Sequence, residues 1–153
     1  MEYALDQVDL QILKLMQENG RINNADIARH LGMAPSAVLE RVKKLEQKEV
    51  ILQYTARINP QALEQDMLAY IFIKAHDVIG DQKVGRQLAA LPEVLEVHDI
   101  AGDDGYLIKV RTRDTQGLVG LMRKSLSKIK GIISTRTTIV LDTLKETTIL
   151  NIP

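Results

Sequence analysis

Residues 23–47, Asn-Asn-Ala-Asp-Ile-Ala-Arg-His-Leu-Gly-Met-Ala-Pro-Ser-Ala-Val-Leu-Glu-Arg-Val-Lys-Lys-Leu-Glu-Gln, constrain this chain more tightly than any other stretch. Asn23 or Asn24 offers a capping oxygen to a short helix with Ile27, Ala28 and Leu31 inward and Gly32 as its stop. Pro35 suits the first turn of the next helix, whose buried stripe is Val38, Val42 and Leu45. Two short helices joined by a tight turn, the second basic, are how a protein presents a helix to the major groove of DNA. Upstream, Asp6 caps a helix with apolar positions Leu10, Leu13 and Met16, Ile12 and Leu15 alongside, ended by Gly20. Downstream, residues 50–58 are rich in β-branched and aromatic side chains and read as strand, a small hairpin or wing. Asn59-Pro60 breaks that run.

From Met67 the pattern changes. Residues 68–75, Leu-Ala-Tyr-Ile-Phe-Ile-Lys-Ala, read as a strand, and Val84, Leu88 and Leu91 mark a helix ending before Pro92. Residues 94–101 and 106–112 are two strands joined by Gly102-Asp103-Asp104-Gly105, a tight-turn sequence. Leu118, Leu121, Met122 and Ile129 give a second helix ended by Gly131, and residues 132–141 alternate as a last strand. The order β-α-β-β-α-β is that of a ferredoxin-like sandwich, with two helices on one sheet face. The expected fold class is α+β. A winged helix-turn-helix domain spans 1–60, a linker 61–66, and a ferredoxin-like domain with a C-terminal tail 67–153.

Charge narrows where any nucleic acid can bind. Lys plus Arg equals Asp plus Glu at 20 each. Residues 1–60 carry 8 of each sign and residues 61–153 carry 12 of each. With no global field, phosphate attraction must come from a local patch. One lies between Pro35 and Arg57: Arg41, Lys43, Lys44, Lys48 and Arg57 against Glu40, Glu46 and Glu49. At about 100° per residue, Ser36, Glu40, Lys43, Lys44 and Gln47 fall opposite Val38, Val42 and Leu45. Ser36 and Glu40, near the helix start, are best placed for base edges; Lys43, Lys44 and Lys48 suit phosphates. The plain alternative is a solvated face, because Glu40 and Lys44 are an i,i+4 pair that stabilises any helix. Arg41 lies at the edge of the buried stripe, where it either touches DNA or pairs with an acid such as Asp9.

Leu5-Asp6-Gln7-Val8-Asp9, Asn19-Gly20-Arg21, Leu31-Gly32, the stretch from Pro35 to Leu45, and Ile51-Leu52-Gln53-Tyr54 resemble the Lrp/AsnC (feast/famine) transcription regulators. Leu91-Pro92-Glu93-Val94, Gly102 with Tyr106-Leu107-Ile108-Lys109-Val110, and Thr137-Thr138-Ile139-Val140-Leu141 extend the resemblance over nearly the whole chain. It implies a winged helix-turn-helix that binds double-stranded DNA. It further implies a ferredoxin-like domain that forms a homodimer and binds a small effector, usually an amino acid, with dimers assembling into tetramers or octamers. No cofactor is implied. Three positions depart from the family pattern. Ala34 stands where Ser often caps the recognition helix, weakening that cap by ~1 kcal/mol. Glu49 replaces the usual terminal Gly, making a left-handed cap less favourable. Gly105 takes the place of the Asp in the effector loop, so Asp104 or Asp103 must supply any carboxylate.

An amino-acid pocket needs an acceptor for the ammonium, donors for the carboxylate and a shaped slot. Gly102 and Gly105 let backbone amides approach a ligand. Asp103 and Asp104 are acceptors, Ser134, Thr135 or Thr137 add hydroxyls, and His98 and Tyr106 flank the loop. Gly-Asp-Asp-Gly is equally an ordinary hairpin turn, and a lone His on a strand is usually structural.

Other classes are constrained by what the chain contains. No apolar run approaches the ~20 residues that span a bilayer, and the N-terminus lacks the pattern of a secretory signal. With no Cys there are no thiolate ligands or nucleophiles. A cytoplasmic location fits. His30, His76 and His98 show no metal spacing and no phosphate-binding Gly-rich loop occurs, so neither a metal nor an enzyme is expected. One enzymatic alternative is a haem-pathway decarboxylase of similar fold, needing His98, Arg111, Arg113 and Arg136 grouped in one pocket. Another alternative is an architectural DNA-wrapping protein without effector.

Overall fold

Asp6 starts the first helix by a reciprocal cap. Its carboxylate accepts the Asp9 backbone N–H at 2.9 Å, and the Asp9 carboxylate accepts the Asp6 N–H at 3.2 Å. The computed structural model describes residues 3–76 and 81–153. They form two units: one up to Arg57 together with Glu146–Pro153, the other Ile58–Lys145.

In the first unit, helices α1 (Gln7–Glu18), α2 (Asn24–Leu31) and α3 (Pro35–Gln47) pack around Ile12, Ile27, Ala28, Val38, Val42 and Leu45. Leu10, read as inward, stays outside this core, which Val8 joins instead. Two apolar stripes share α1, and periodicity alone does not choose between them. Asn23, not Asn24, caps α2 by accepting the Asp26 N–H at 2.8 Å. Gly32 closes α2 at φ 64°, a left-handed conformation in which a β-carbon is strained, and so turns the chain into α3.

Ala34 gives α3 no side-chain cap, and Pro35 starts it instead. Its end corrects the expectation for Glu49, which is left-handed at φ 55° despite its β-carbon. The Glu49 N–H donates to Glu46 O and the Val50 N–H to Leu45 O, both at 2.9 Å. These two bonds, with Val50 and Ile51 packed on the core, close a Schellman motif that holds a non-glycine residue there.

Residues 50–58, read as strand, form neither strand nor hairpin. β-Propensity reflects packing against neighbours, and Leu52 is 83% exposed. The segment is tied back by Tyr54, whose hydroxyl donates to Glu46 on α3 at 2.7 Å. The tail, grouped with the second domain from sequence, packs in the first unit. Gln17 exchanges two hydrogen bonds with the Leu150 backbone at 2.8 and 2.9 Å, and Arg57 meets Glu146 at 3.2 Å.

The second unit begins with a 3-10 turn, Pro60–Leu63, capped by Asn59 within the stretch read as linker. There follow β1 (Met67–Ala75), α4 (Lys83–Ala89), β2 (Val94–Asp99), β3 (Tyr106–Thr112), α5 (Thr115–Lys124) and β4 (Ile132–Ile139). α5 ends before a second 3-10 turn, Leu126–Lys128, so Ile129 lies beyond the helix. The strands form one antiparallel sheet in the order β2-β3-β1-β4, the ferredoxin-like arrangement. One face carries Ala69, Ile71, Ile73, Tyr106, Ile108 and Val110, packed on Val84 and Leu88 of α4 and Leu118 and Leu121 of α5. Alternation turns Tyr70, Phe72, Leu107 and Lys109 to the other face.

Candidate nucleic-acid interface and effector loop

Burial of Val38, Val42 and Leu45 turns the opposite side of α3 outward. Ser36, Glu40, Lys43, Lys44, Gln47 and Lys48 are all exposed there. Among the described residues none of the three lysines makes an ion pair, and the Glu40–Lys44 pair of an ordinary solvated face is not formed. Leu39, which the sequence pattern did not single out, is 41% exposed. Helical spacing sets it beside Ser36 and Lys43, where an apolar side chain suits a thymine methyl group. An exposed Leu on an otherwise polar helix face was the available signal.

Arg41 leaves the DNA-facing set. Its Nη1 lies 2.7 Å from Asp6 Oδ2 and 2.8 Å from Asp9 Oδ1, so the guanidinium joins α3 to the start of α1. Hydrogen bonds to Asp6 first and Asp9 second raise its pKa, against a smaller lowering by burial. Asp6 titrates below its ordinary value, through the Asp9 N–H first and Arg41 second. Beside this pair a hollow of about 390 Å³ is lined by Asp6, Asp9, Glu40, Arg41, Lys44 and Lys48. Lys44 and Lys48 therefore stand on the α1 flank of the helix. Burial, then the hydrogen bond to Glu46, pushes the Tyr54 hydroxyl up to about 12.

At the effector loop, Gly102 has φ 138°, and the Ile100 N–H donates to Gly105 O at 3.0 Å. The Gly105 N–H donates to Ile73 O at 3.0 Å, so this amide belongs to the sheet and is not offered to a ligand. Asp104 meets Arg136 at 3.1 Å, and the Arg136 guanidinium sits 4.1 Å from the centroid of the Phe72 ring. Asp103 is exposed and makes no ion pair among the described residues.

The other expected effector residues divide between the two sheet faces. Tyr106 is 4% exposed, with its ring against Gly85 of α4, which removes the side chain from a ligand's reach. Thr135 pairs with Ile73 on the same helix-covered side. His98 lies opposite Leu107 on the uncovered face, 3.2 Å from Glu96, whose pKa is lowered by that contact and then by Lys109. Arg136, opposite Phe72, shares the uncovered face. Its ion pair with Asp104 ties β4 to the loop, and the effector reading from sequence did not include Arg136.

The decarboxylase grouping does not form. Arg113 pairs with Glu64, Arg111 donates to Gln65 O, Arg136 holds Asp104 and His98 meets Glu96. Among the described residues no group of His, Asp or Glu has metal-binding geometry, and no helix is long and apolar enough to cross a membrane.

A helix-turn-helix whose basic face forms no ion pair among the described residues, joined to an antiparallel sheet layered by two helices, defines a two-domain DNA-binding regulator. Residues 5–52 match the winged helix-turn-helix DNA-binding family, and residues 68–150 match the Lrp/AsnC ligand binding domain. The chain is 36% identical over 149 residues to the leucine-responsive regulatory protein of Haemophilus influenzae, covering 96% of this chain and 90% of that one. It is 37% identical over 153 residues to the HTH-type transcriptional regulator FL11 of Pyrococcus horikoshii, covering 99% of each. The structure of Escherichia coli AsnC superposes with a TM-score of 0.87 at 28% identity, over 96% of this chain and 99% of that one. The L-Met complex of the Neisseria meningitidis regulator NMB0573 gives 0.88 at 27% identity, over 97% of each chain. This chain belongs to the Lrp/AsnC family of transcriptional regulators.

Proposed function

We propose that this regulator works in the cytoplasm as a homodimer, assembling further into tetramers or octamers, and that a bound amino acid sets its affinity for DNA. It catalyses no reaction. The observation that carries the reading is the outward face of α3. Among the described residues Lys43, Lys44 and Lys48 stand without acidic partners, and Ser36, Leu39 and Glu40 are exposed near the helix start, which suits base edges. A patch of three lysines on a neutral chain binds weakly alone, so two or more copies are needed to reach a useful affinity. The uncovered sheet face supplies the means of pairing, because Tyr70, Phe72 and Leu107 make a half-buried apolar band there. Operators are then imperfect palindromes with half-sites about one helical turn, or a multiple of it, apart.

For the effector, Asp103 supplies an acceptor for the ammonium and Arg136 a donor for the carboxylate, with Asp104 positioning Arg136. The solved relative with bound L-methionine makes that amino acid the first to test. The ligand acts by binding one assembly more tightly than another.

Two experiments test the reading. Lys43→Ala with Lys44→Ala weakens binding to all duplexes and flattens its salt dependence; unchanged binding dismisses the groove assignment. A thermal-shift screen of the twenty amino acids finds at least one that stabilises the chain. Stabilisation by none favours the effector-free architectural protein.

A further inference from the structure

In the second unit, residues 82–92 and 115–131 hold six cations and no anion: Lys83, Arg86, Arg123, Lys124, Lys128 and Lys130. These stretches are α4, α5 and the turns that follow them, the whole layer over one sheet face. Val84, Leu88, Leu118 and Leu121 turn inward to the sheet, and all six cations are exposed. None makes an ion pair among the described residues, whereas Lys109, Arg113 and Arg136 of the same unit all do. Six like charges with no acid inside these two stretches destabilise the layer they share. On a chain of zero net charge, this is a segregated surface.

Part of it is concave. Lys83, Lys128 and Lys130, from two separate segments, line one hollow of about 490 Å³ with His76, Asp81 and Gln87. Gly131 draws these segments together, since a β-carbon there would lie 3.0 Å from a Val84 methyl group.

We infer that this helical layer is a second phosphate-contacting surface, which engages the duplex outside the bases read by α3. Its partner is fixed by charge complementarity: duplex DNA is the polyanion this family already binds. The contacts are to the backbone, so they add affinity without sequence preference.

The test uses the full-length chain with Lys83→Gln, Lys128→Gln and Lys130→Gln combined. Affinity is measured against salt on a short duplex holding only the recognition site and on one several helical turns longer. On the long duplex the slope of log affinity against log salt falls by about 0.9 for each phosphate no longer neutralised, up to about 2.7. Specific and scrambled long duplexes lose affinity equally, and the matching triple Lys→Arg variant keeps the original slope. Unchanged binding of the short duplex shows the variant is folded. An unchanged slope on the long duplex overturns the inference. So does an unchanged slope combined with loss of pyrophosphate-induced thermal stabilisation, which would make the hollow a small-anion site.

Discussion

Glu49→Gly should stabilise the DNA-binding unit although it removes a side chain. Glu49 sits at φ 55°, where the β-carbon of an L-residue crowds the next carbonyl at a cost of roughly 1–2 kcal/mol. Glycine lacks that carbon, but its greater freedom in the unfolded chain offsets roughly 0.5–1 kcal/mol. Glu49 is exposed and forms no side-chain hydrogen bond or ion pair among the described residues, so little else changes. The expected net gain is about 0.5–1 kcal/mol. In a domain of this size, 1 kcal/mol raises Tm by about 4–8 °C. Glu49→Ala is the matched control, because alanine keeps the β-carbon and should leave stability within about 0.5 kcal/mol. Amide hydrogen exchange over residues 5–52 reads the opening free energy of this unit directly. Equal protection in the two variants, or weaker protection with glycine, would refute a left-handed cap at Glu49.

Three further outcomes follow from the packing and charge. Gly85→Ala places a methyl group 2.8 Å from the buried Tyr106 ring. Urea unfolding should show a loss of about 1–3 kcal/mol, although alanine is the better helix former. The folded pKa of Asp6 lies below its ordinary 3.8, so its contribution is present above that value and disappears as pH falls through the lower folded one. Urea midpoints of the first unit should therefore drop on acidification below about 4, and less steeply in Asp6→Asn, which keeps a capping oxygen but no charge. Ser36→Ala and Glu40→Ala should alter preference among duplexes more than overall affinity, measured by competition between operator variants.

Much of the architecture is local and was legible. Asp6, Asn23 and Gly32 act through bonds to residues three or four positions away, Pro35 through its fixed φ, and the ferredoxin-like order follows from where the hydrophobic period changes. The unread features depend on distant or cooperative contacts. Residues 50–58 have β-propensity, but no neighbouring strand receives them. Glu49 is held left-handed by backbone bonds that outweigh its own preference. Tyr106 opens a strand beside the loop, yet alternation turns its ring under α4. Asp104 and Arg136 lie 32 residues apart, and only sheet register brings β4 to the loop. Arg41 illustrates the limit well: helical spacing placed it at the rim of the buried stripe, and only the packing of α1 decided its partner.

The most direct measurement is footprinting of the full-length chain on genomic DNA, with and without added amino acids. Protection is predicted at imperfect palindromes whose half-sites fall about one helical turn, or a multiple of it, apart. The extent of protection should shift when one amino acid, L-methionine first, is added. Protection without sequence preference, or a pattern that no amino acid changes, would contradict an effector-controlled regulator reading DNA through α3.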